Sequence, residues 1–219
     1  GLVLVLIMDF KKNKYVVLRK AISKDLATFL ANYLSMKKQV YDTCLRARYI
    51  SPFEKILGYY EGPNLQVPGS YASYSDIAIE TLMIKCQSIM EKITNLKLYP
   101  AYTYTRIYKK GHELKRHKDR FSCEISTTIN LGGDDWPIYL EPSGKRGKKG
   151  IKIILKPGDM LIYRGCDLEH WRKKFTGEEC IQAFLHYNDI KTSGAQENMF
   201  DERLHIGLPD WFKGFKFIK

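Results

Sequence analysis

The chain has 219 residues, of which 44% are hydrophobic and 27% are charged. This length and balance are typical of one globular domain, and they exclude a disordered, collagen-like or coiled-coil chain. The longest apolar run, residues 2–8, is far shorter than the roughly 20 residues that span a bilayer, and it lacks the basic start and cleavage site of a signal peptide. We therefore predict a single domain over residues 1–219, a cytoplasmic location and no membrane partner.

The net charge is strongly positive, because 36 Lys and Arg residues oppose 24 Asp and Glu residues and give +12. Such a charge attracts polyanions at long range, so nucleic acid is one candidate partner. A basic composition is only the first sign of a nucleic-acid-binding protein, and many basic surfaces serve solubility alone. We interpret the basic stretch at residues 145–149 as a solvated hairpin tip, with phosphate binding as the alternative.

Five cysteines are spread widely along the chain, without a C-x-x-C pair: Cys44, Cys86, Cys123, Cys166 and Cys180. An odd number at wide spacing predicts free thiols in a reducing compartment rather than a disulfide framework. This prediction agrees with the cytoplasmic location.

The N-terminal part of the chain begins with two short apolar runs, residues 2–10 and 15–18, separated by a basic stretch. They predict a hairpin, or a strand followed by a loop. Ser23 is a good N-cap for a helix, because apolar residues then recur at helical spacing, and this signal continues toward Ala47.

A long segment rich in Pro, Gly, Ser and Tyr, residues 51–75, predicts a loop. Loops of this length often form lids or partner surfaces, so this one is a candidate lid over a peptide. A second helix is predicted to begin at Ser75 or Asp76, because apolar residues from Ile77 to Ile93 recur at intervals of three and four.

From Leu98 the hydrophobic period changes to two, which predicts a strand through Tyr108. Further strands are predicted at residues 125–131, 136–141, 150–155, 160–164 and 180–187. Short strands with no long helix between them predict an α+β fold, in which an antiparallel sandwich or barrel carries the two helices on one sheet. We expect a helix-rich support over residues 1–97, a barrel core over 98–190 and a loop-like tail over 191–219.

His117 and Asp119 form a His-x-Asp pair that can bind a metal. On a strand, residues i and i+2 point to the same face, so one short segment supplies two ligands, and His170 can supply a third from another strand. Two histidines and a carboxylate on one face leave three positions open, which suits non-haem Fe(II). An isolated His-x-Asp is common by chance. Its place before a run of strands favours a metal site.

Four segments occur in the order found in a known family: residues 106–119, 128–133, 156–163 and 169–172. Because of these segments, the sequence over roughly residues 98–189 resembles the 2-oxoglutarate and Fe(II)-dependent oxygenases of the double-stranded β-helix fold. The resemblance is strongest to the branch that contains the prolyl 4-hydroxylases. It implies a jelly-roll, cupin-like barrel.

The resemblance also implies a function. Fe(II) would be bound by His117, Asp119 and His170, which are thereby the metal ligands and the catalytic residues. The enzyme would convert 2-oxoglutarate and O₂ into succinate and CO₂ while hydroxylating a C–H bond, with ascorbate as a candidate reductant. The branch favours a peptidyl prolyl or other protein residue as substrate, so we expect a peptide or protein partner.

The far carboxylate of 2-oxoglutarate needs a basic partner, because a carboxylate in a partly dry pocket is costly unless it is paired. In the prolyl hydroxylase pattern a lysine about ten residues after the distal histidine does this, but Cys180 stands there in this chain. We predict Arg172 as the substitute, because an extended chain places it on the same face as the distal histidine. The alternative is a surface salt bridge from Arg172 to Glu178 or Glu179.

Other residues are second candidates or have ordinary roles. Arg120 is the second candidate for the anchor, and Tyr104 and Tyr108 are candidate hydroxyl donors to the same carboxylate. The histidines outside the triad are expected to be surface or hydrogen-bonded residues rather than ligands, and two tryptophans are expected in the core or the pocket wall; these residues are His112, His186, His205, Trp136 and Trp171. His186 is expected to point out of the sheet.

Three alternatives to a protein hydroxylase remain open: an oxygenase of a small molecule, an oxygenase of nucleic acid, and a non-catalytic cupin-like binding module. A nucleic-acid oxygenase would need a basic groove that leads to the metal. The complete set of His117, Asp119 and His170 argues against a non-catalytic module.

Overall fold

Two antiparallel sheets enclose the core in the computed structural model, which describes residues 9–214. The strands are β1 (Tyr15–Leu18), β2 (Tyr59–Tyr60), β3 (Tyr71–Tyr74), β4 (Leu98–Lys109), β5 (Leu114–His117), β6 (Ile125–Gly133), β7 (Ile138–Leu140), β8 (Ile151–Ile153), β9 (Met160–Tyr163), β10 (His170–Arg172) and β11 (Glu179–Asp189). The larger sheet has the order β1-β9-β6-β11-β4-β3-β2, and the smaller has β5-β10-β7-β8. The predicted α+β class with an antiparallel double sheet is confirmed.

Two long helices cover the outer face of the larger sheet. They are α2 (Lys24–Arg46) and α3 (Ile77–Thr94), preceded by the single turn α1 (Phe10–Asn13). Both long helices begin where the sequence predicts: the Ser23 hydroxyl accepts from a backbone N–H of α2, and the Asp76 carboxylate accepts from two in α3. Their apolar faces share one core cluster with β6, β9 and β11. Each fully buried aliphatic side chain contributes about 1.5–3 kcal/mol.

The predicted strands in the second half of the chain are all present, within a few residues of their predicted ends. Two predictions for the first half are wrong. Residues 51–75 are not one loop, because they contain β2 and β3, which extend the larger sheet beyond β4. Phe10–Asn13 is helical rather than extended, because the Asp9 carboxylate caps its N-terminus. The rest of the first apolar run, residues 2–8, lies outside the described residues.

The C-terminal segment, residues 190–214, follows β11 and contains the 3-10 turns Met199–Glu202 and Asp210–Phe212. It contains no strand longer than an isolated bridge among its described residues, as the predicted tail implies. The end of the predicted apolar and basic terminus, residues 215–219, lies outside the described residues. No helix in the described part of the chain has the length and apolar character needed to cross a membrane.

The space between the sheets holds two further apolar clusters. One joins β7 and β8 of the smaller sheet to Leu161 and Tyr163 of β9. The other groups Trp136 and Phe175 with Tyr108 and Cys180 on β4 and β11. Between these clusters, β5 and β10 present polar side chains to the interior, and this is where the predicted ligands lie.

Candidate metal centre

The three predicted ligands converge at one end of the smaller sheet. His117 is the last residue of β5, His170 is the first residue of β10, and the two are register partners with ring centroids 4.3 Å apart. Asp119 lies two residues beyond the end of β5, so it is in a turn and not on the strand that its spacing suggested. Its backbone N–H donates to the Gly165 carbonyl at 2.9 Å. This hydrogen bond holds the Asp119 carboxylate beside the two imidazoles.

The geometry of these side chains suits one metal ion. Oδ1 of Asp119 lies 3.4 Å from Nε2 of His117 and 3.4 Å from Nε2 of His170. The ligand atoms all lie within 4.8 Å of one another. Bonds of about 2.1 Å at right angles place neighbouring ligand atoms about 3 Å apart. Each of the two contacts to Oδ1 of Asp119 therefore needs to shorten by only a few tenths of an ångström for the carboxylate to share a metal with that imidazole.

The second ring nitrogen of each histidine fixes its tautomer. Nδ1 of His117 lies 2.6 Å from the Lys115 carbonyl, and Nδ1 of His170 lies 3.1 Å from the Leu168 carbonyl. Because a carbonyl only accepts hydrogen bonds, both Nδ1 atoms carry the proton. Each Nε2 then has its lone pair available on the side of Asp119, as a metal-binding histidine requires.

The charges at the site are coupled. Burial would raise the pKa of Asp119, but the imidazoles of His170 and His117 outweigh it and hold that pKa well below its usual range. Burial would lower the pKa of His170, but the Asp119 carboxylate and the Leu168 carbonyl together raise it. The carboxylate is therefore ionised, and it gives the centre the negative charge that a divalent cation needs.

Gly165 makes room for the carboxylate ligand. A Cβ at this position would lie 2.6 Å from Oδ2 of Asp119 and 2.3 Å from the backbone oxygen of Cys123. Both distances are far below van der Waals contact, so any side chain larger than hydrogen would displace the turn that carries Asp119.

A cavity of about 130 Å³ adjoins the ligands. Its lining comprises Gln66, Tyr102, Tyr104, Arg106, Leu114, His117, Asp119, Cys123, Ile138, Tyr163, His170, Phe184 and His186. This volume is smaller than the 300–1,000 Å³ of a typical drug-sized pocket. It suits a metal with a small co-substrate rather than a bulky ligand.

Arg172 is buried, 2% exposed, on the same face of β10 as His170, but it is not among the residues that line this cavity. One guanidinium nitrogen donates to the Trp136 carbonyl, and the guanidinium carbon lies 5.1 Å over the Trp136 ring. Among the described residues, Nε and Nη2 of Arg172 have no hydrogen-bond partner. A buried donor without a partner is costly, so this arginine is suited to an anion.

The position of Arg172 also explains how the chain departs from the lysine pattern. Burial raises the pKa of the Cys180 thiol, and the nearby Arg172 charge acts in the opposite direction. The arginine on β10 therefore brings its charge close to the β11 position where the pattern has lysine. The alternative surface salt bridge is not formed, because Glu178 pairs with Lys110 and Glu179 with Lys109.

The other anchor candidates have partners within the protein. Arg120 donates to the Asp201 carboxylate with two nitrogens, at 2.7 and 2.9 Å. Tyr104 lines the cavity, but its hydroxyl donates to Glu61 at 2.8 Å. Tyr108 is fully buried against Trp136, with ring centroids 4.7 Å apart. Arg120 is therefore already paired, and the two tyrosines carry no positive charge. None of the three offers a free positive charge to a bound carboxylate, as Arg172 does.

Sequence reasoning missed several cavity residues, above all His186. It was expected to point out of the sheet, but it is buried, lines the cavity and has Nδ1 2.9 Å from the Ser126 hydroxyl. Burial lowers its pKa to about 4. The predicted direction is wrong because nearly all of β11 is buried on both faces. The alternation of polar and apolar residues therefore does not show to which face a side chain belongs. The expectation that these histidines are surface or hydrogen-bonded residues holds for His186, which bonds to Ser126, and for His112 and His205, which bond to nearby backbone groups.

A second missed feature is a buried ion pair above the cavity. Glu61 accepts from Nε and Nη2 of Arg106 at 2.9 and 2.7 Å, and it also accepts from the Val67 backbone N–H at 2.6 Å. Gln66 reaches inward from the same loop: its amide oxygen accepts from Arg106 at 2.7 Å, and its amide nitrogen lies 2.7 Å from Nε2 of His117. Metal binding at that Nε2 therefore requires the Gln66 amide to move.

An open groove of about 460 Å³ leads from this loop to the ligands. One wall is formed by residues 63–68, and the other by the turn between β4 and β5 and the start of β5. The groove shares Gln66 and His117 with the inner cavity. A molecule in the groove would thus reach the metal centre from outside.

No protein-family model matches the sequence, and a search of curated proteins likewise gives no match. Solved structures do match the fold. A prolyl-4-hydroxylase from Pseudomonas putida superposes with a TM-score of 0.59 at 12% identity, covering 83% of this chain and 95% of that chain. HygX from Streptomyces hygroscopicus, with nickel and 2-oxoglutarate bound, gives 0.58 at 12% identity and covers 83% and 85%.

A third similar structure is the non-haem α-ketoglutarate-dependent carbocyclase SnoK from nogalamycin biosynthesis. Its TM-score is 0.62 at 10% identity, covering 83% of this chain and 81% of that chain. These comparisons confirm the predicted double-stranded β-helix fold, which the chain shares with 2-oxoglutarate and Fe(II)-dependent oxygenases. At such low identities they show the fold alone, so the function rests on the site.

Proposed function

We propose that the protein is a 2-oxoglutarate and Fe(II)-dependent oxygenase that hydroxylates a C–H bond of a protein substrate, preferentially a peptidyl prolyl residue. The observation that carries the proposal is the facial set of His117, Asp119 and His170, with both Nε2 atoms directed at the carboxylate. The fold shared with such oxygenases supports it.

The donor set fits Fe(II). Two imidazoles and one carboxylate on one face leave three positions for a co-substrate and O₂. With the metal bound, O₂ would be the oxidant: one of its oxygen atoms would enter succinate as 2-oxoglutarate loses CO₂, and the other would enter the substrate C–H bond. The protein contributes the position and charge of the three ligands through the backbone hydrogen bonds of the two imidazoles and the space at Gly165.

The unpaired nitrogens of Arg172 are the proposed anchor for the far carboxylate of 2-oxoglutarate. A guanidinium binds a carboxylate with two parallel hydrogen bonds, which sets both position and orientation. The Trp136 ring covers one face of the Arg172 guanidinium. It limits water around the guanidinium, and this strengthens the attraction for a carboxylate.

The outer groove is the proposed binding site for the protein substrate. It is open to solvent, mixes polar and apolar side chains, and ends at His117, which suits an extended peptide segment. Similarity to the Pseudomonas putida prolyl-4-hydroxylase favours proline as the substrate residue. Because the fold is also similar to the carbocyclase SnoK, small molecules are tested as substrates as well. We also propose a cytoplasmic location, because all five cysteines are free thiols.

The decisive experiment measures succinate produced from 2-oxoglutarate with Fe(II) and ascorbate, in the presence of peptides, amino acids or nucleic acids. Proline-containing peptides should stimulate turnover most. His117→Ala and Asp119→Ala should abolish it while the protein stays folded, and His205→Ala, which changes an exposed histidine outside the triad and outside the groove, should retain it. Full activity in either triad variant would contradict the proposed metal site, and stimulation by amino acids or nucleic acid alone would contradict the substrate class.

A further inference from the structure

Asp201, in the C-terminal segment, is a buried carboxylate surrounded by donors. It is 2% exposed. It accepts two hydrogen bonds from the Arg120 guanidinium at 2.7 and 2.9 Å, one from the Ser122 hydroxyl at 2.6 Å and one from the Tyr74 hydroxyl at 2.5 Å. Lys213 forms an ion pair with it at 2.7 Å. A carboxylate has about four lone-pair sites, so Asp201 is saturated.

Two of these donors belong to the turn that carries a proposed metal ligand. Arg120 directly follows Asp119, and Ser122 comes two residues later. We call residues 119–123 the ligand turn. Within it the Cys123 N–H donates to the Arg120 carbonyl at 2.9 Å, and the Cys166 thiol donates to the same oxygen at 3.1 Å. Asp201 therefore receives three hydrogen bonds from the side chains of the ligand turn.

The backbone around Asp201 is strained. Phe200, Asp201 and Glu202 have φ values of 57°, 56° and 64°, so three consecutive residues other than glycine adopt the left-handed region. Each such residue costs free energy, and the arrangement persists only where surrounding contacts offset that cost. Strain of this kind clusters at sites where the position of a side chain matters to function.

The same segment makes a second buried ion pair, which provides a comparison. Arg203 lies 2.6 Å from Glu80 on α3, and both side chains are almost completely buried. The Arg203–Glu80 pair joins the C-terminal segment to a helix, whereas Asp201 joins it to the ligand turn. A role limited to fold stability would be common to both pairs. A role in placing the ligand would belong to Asp201 alone.

We propose that Asp201 is a positioning residue for the metal ligand Asp119. Its carboxylate holds Arg120 and Ser122, and through them it keeps the Asp119 carboxylate facing both imidazoles. This inference rests on the proposed metal site. It makes metal affinity depend on the C-terminal segment, far along the chain from the ligands.

The test is the affinity for Mn(II), measured by titration without 2-oxoglutarate. Asp201→Asn keeps the shape of the side chain but removes its charge and places an amide N–H group against donors. We expect Mn(II) affinity to fall by about 10- to 100-fold, the usual effect of losing a partner that orients a ligand. Glu80→Gln is the matched control, and it should lower the melting temperature while leaving Mn(II) affinity within about twofold.

Arg120→Ala provides a second route, because the Arg120 side chain is half exposed and its loss is compatible with folding. It should weaken Mn(II) binding, and adding Asp201→Asn to it should weaken binding by less than the two single effects combined, since both act through one contact. This variant carries the test if Asp201→Asn fails to fold.

The outcomes separate the two proposals. Unchanged Mn(II) affinity in Asp201→Asn or in Arg120→Ala would overturn the positioning role and leave the proposed function standing. An equal loss in Glu80→Gln would show that both pairs act only through general stability, and it would overturn the role as well. Failure of the parent protein to bind Mn(II) would refute the metal site and this inference together.

Discussion

At the scale of single residues, Arg172 is the proposed substitute for the lysine of the prolyl hydroxylase pattern. The lysine position holds Cys180, yet a guanidinium reaches the same region from β10. The sequence could predict this, because residues i and i+2 of an extended strand share a face and Arg172 follows His170 by two. It could not predict that two buried nitrogens of Arg172 have no partner among residues 9–214, because this depends on strands distant in sequence.

Arg172→Ala should weaken 2-oxoglutarate binding without removing the metal. Losing one partner of a buried charge pair costs about 2–5 kcal/mol, so the affinity should fall by roughly thirty-fold or more at about 1.4 kcal/mol per factor of ten. Arg172→Lys should recover part of the loss, because an ammonium cannot form two parallel bonds. The measurement is 2-oxoglutarate affinity with Mn(II) in place of iron, and the exposed neighbour Lys173→Ala is the control.

The opposite pattern would identify a different anchor. If, with Mn(II) saturating in both variants, Arg120→Ala caused the large loss of 2-oxoglutarate affinity and Arg172→Ala caused none, the face assigned to Arg172 would be wrong. The pairing of Arg120 with Asp201 makes that result unexpected.

Gly165→Ala should damage the metal centre through one added methyl group. The new Cβ would lie 2.6 Å from the Asp119 carboxylate, so the ligand must move. We expect Mn(II) affinity to fall by about tenfold or more, as for other changes that misorient a ligand. Gly62→Ala is the control, because no described residue has an atom within 4 Å of the added Cβ. Equal affinities in the two variants would contradict the steric argument.

At the scale of elements, the sequence predicts the helices and strands that are long enough to show a clear hydrophobic period. The two long helices and β4 have 12 or more residues each, and their predicted positions are close to the observed ones. Strands β2 and β3 have two and four residues and form only by pairing beside β4, so local composition suggested a loop. Strands β5 and β10 have four and three residues and were not among the predicted strands, although the motif required extended chain at its ligands.

The Glu61–Arg106 pair should hold the loop above the cavity in place. Glu61→Ala would leave a buried guanidinium unpaired, which costs about 3–5 kcal/mol of unfolding free energy. It should also make residues 61–70 more accessible to protease. Glu178→Ala removes an exposed ion pair with Lys110 and should cost less than about 1 kcal/mol. Similar denaturation midpoints for the two variants would show that the loop does not depend on the buried pair.

Asp201 should make stability depend on acid pH. Burial would raise its pKa, but hydrogen bonds from Arg120, Lys213, Ser122 and Tyr74 hold that pKa well below its usual range. A folded-state pKa below the unfolded value of about 3.9 stabilises the fold above that pH, and this contribution is lost as the pH falls further.

The free energy of unfolding should therefore differ most between the parent protein and Asp201→Asn near pH 7. The difference should shrink below about pH 4, where the unfolded carboxyl is protonated. Urea denaturation at pH 7, 5 and 3.5 measures it. A difference that is the same at all three values would show that the charge of Asp201 does not contribute.

At the scale of the whole molecule, the sequence predicted two layers of short antiparallel strands with helices on one of them, and this is the observed architecture. The order of the strands in the sheets could not be predicted from the sequence. The larger sheet combines β1, β2 and β3 from the first part of the chain with β4, β6, β9 and β11 from the second. Hydrophobic alternation tells which residues are buried but not which strand is the neighbour, so pairing between distant segments cannot be read from it.

The distribution of charge over the surface leads to the last prediction. The tip between β7 and β8 carries four exposed cations, and none of them forms an ion pair within the part of the chain that the structure describes: Lys145, Arg146, Lys148 and Lys149. The Gly147 N–H donates to Glu169, the residue before His170, so this tip lies beside the strand that carries a proposed ligand. Unpaired cations grouped in this way bind phosphates and release counterions.

We expect weak, sequence-independent binding of single-stranded nucleic acid, with Kd on the order of 10⁻⁴–10⁻⁶ M at physiological salt. Replacing the four tip cations with glutamine should weaken it and should reduce the slope of log affinity against log salt by up to about 3, since each phosphate contact on a single strand contributes about 0.7. Peptide-stimulated succinate formation should persist. The control replaces four exposed lysines elsewhere, Lys24, Lys85, Lys92 and Lys191. If both sets reduced the slope equally, the net charge rather than the tip would govern binding. If tip replacement abolished peptide-stimulated turnover, the tip would belong to the peptide-binding site rather than to a separate nucleic-acid site.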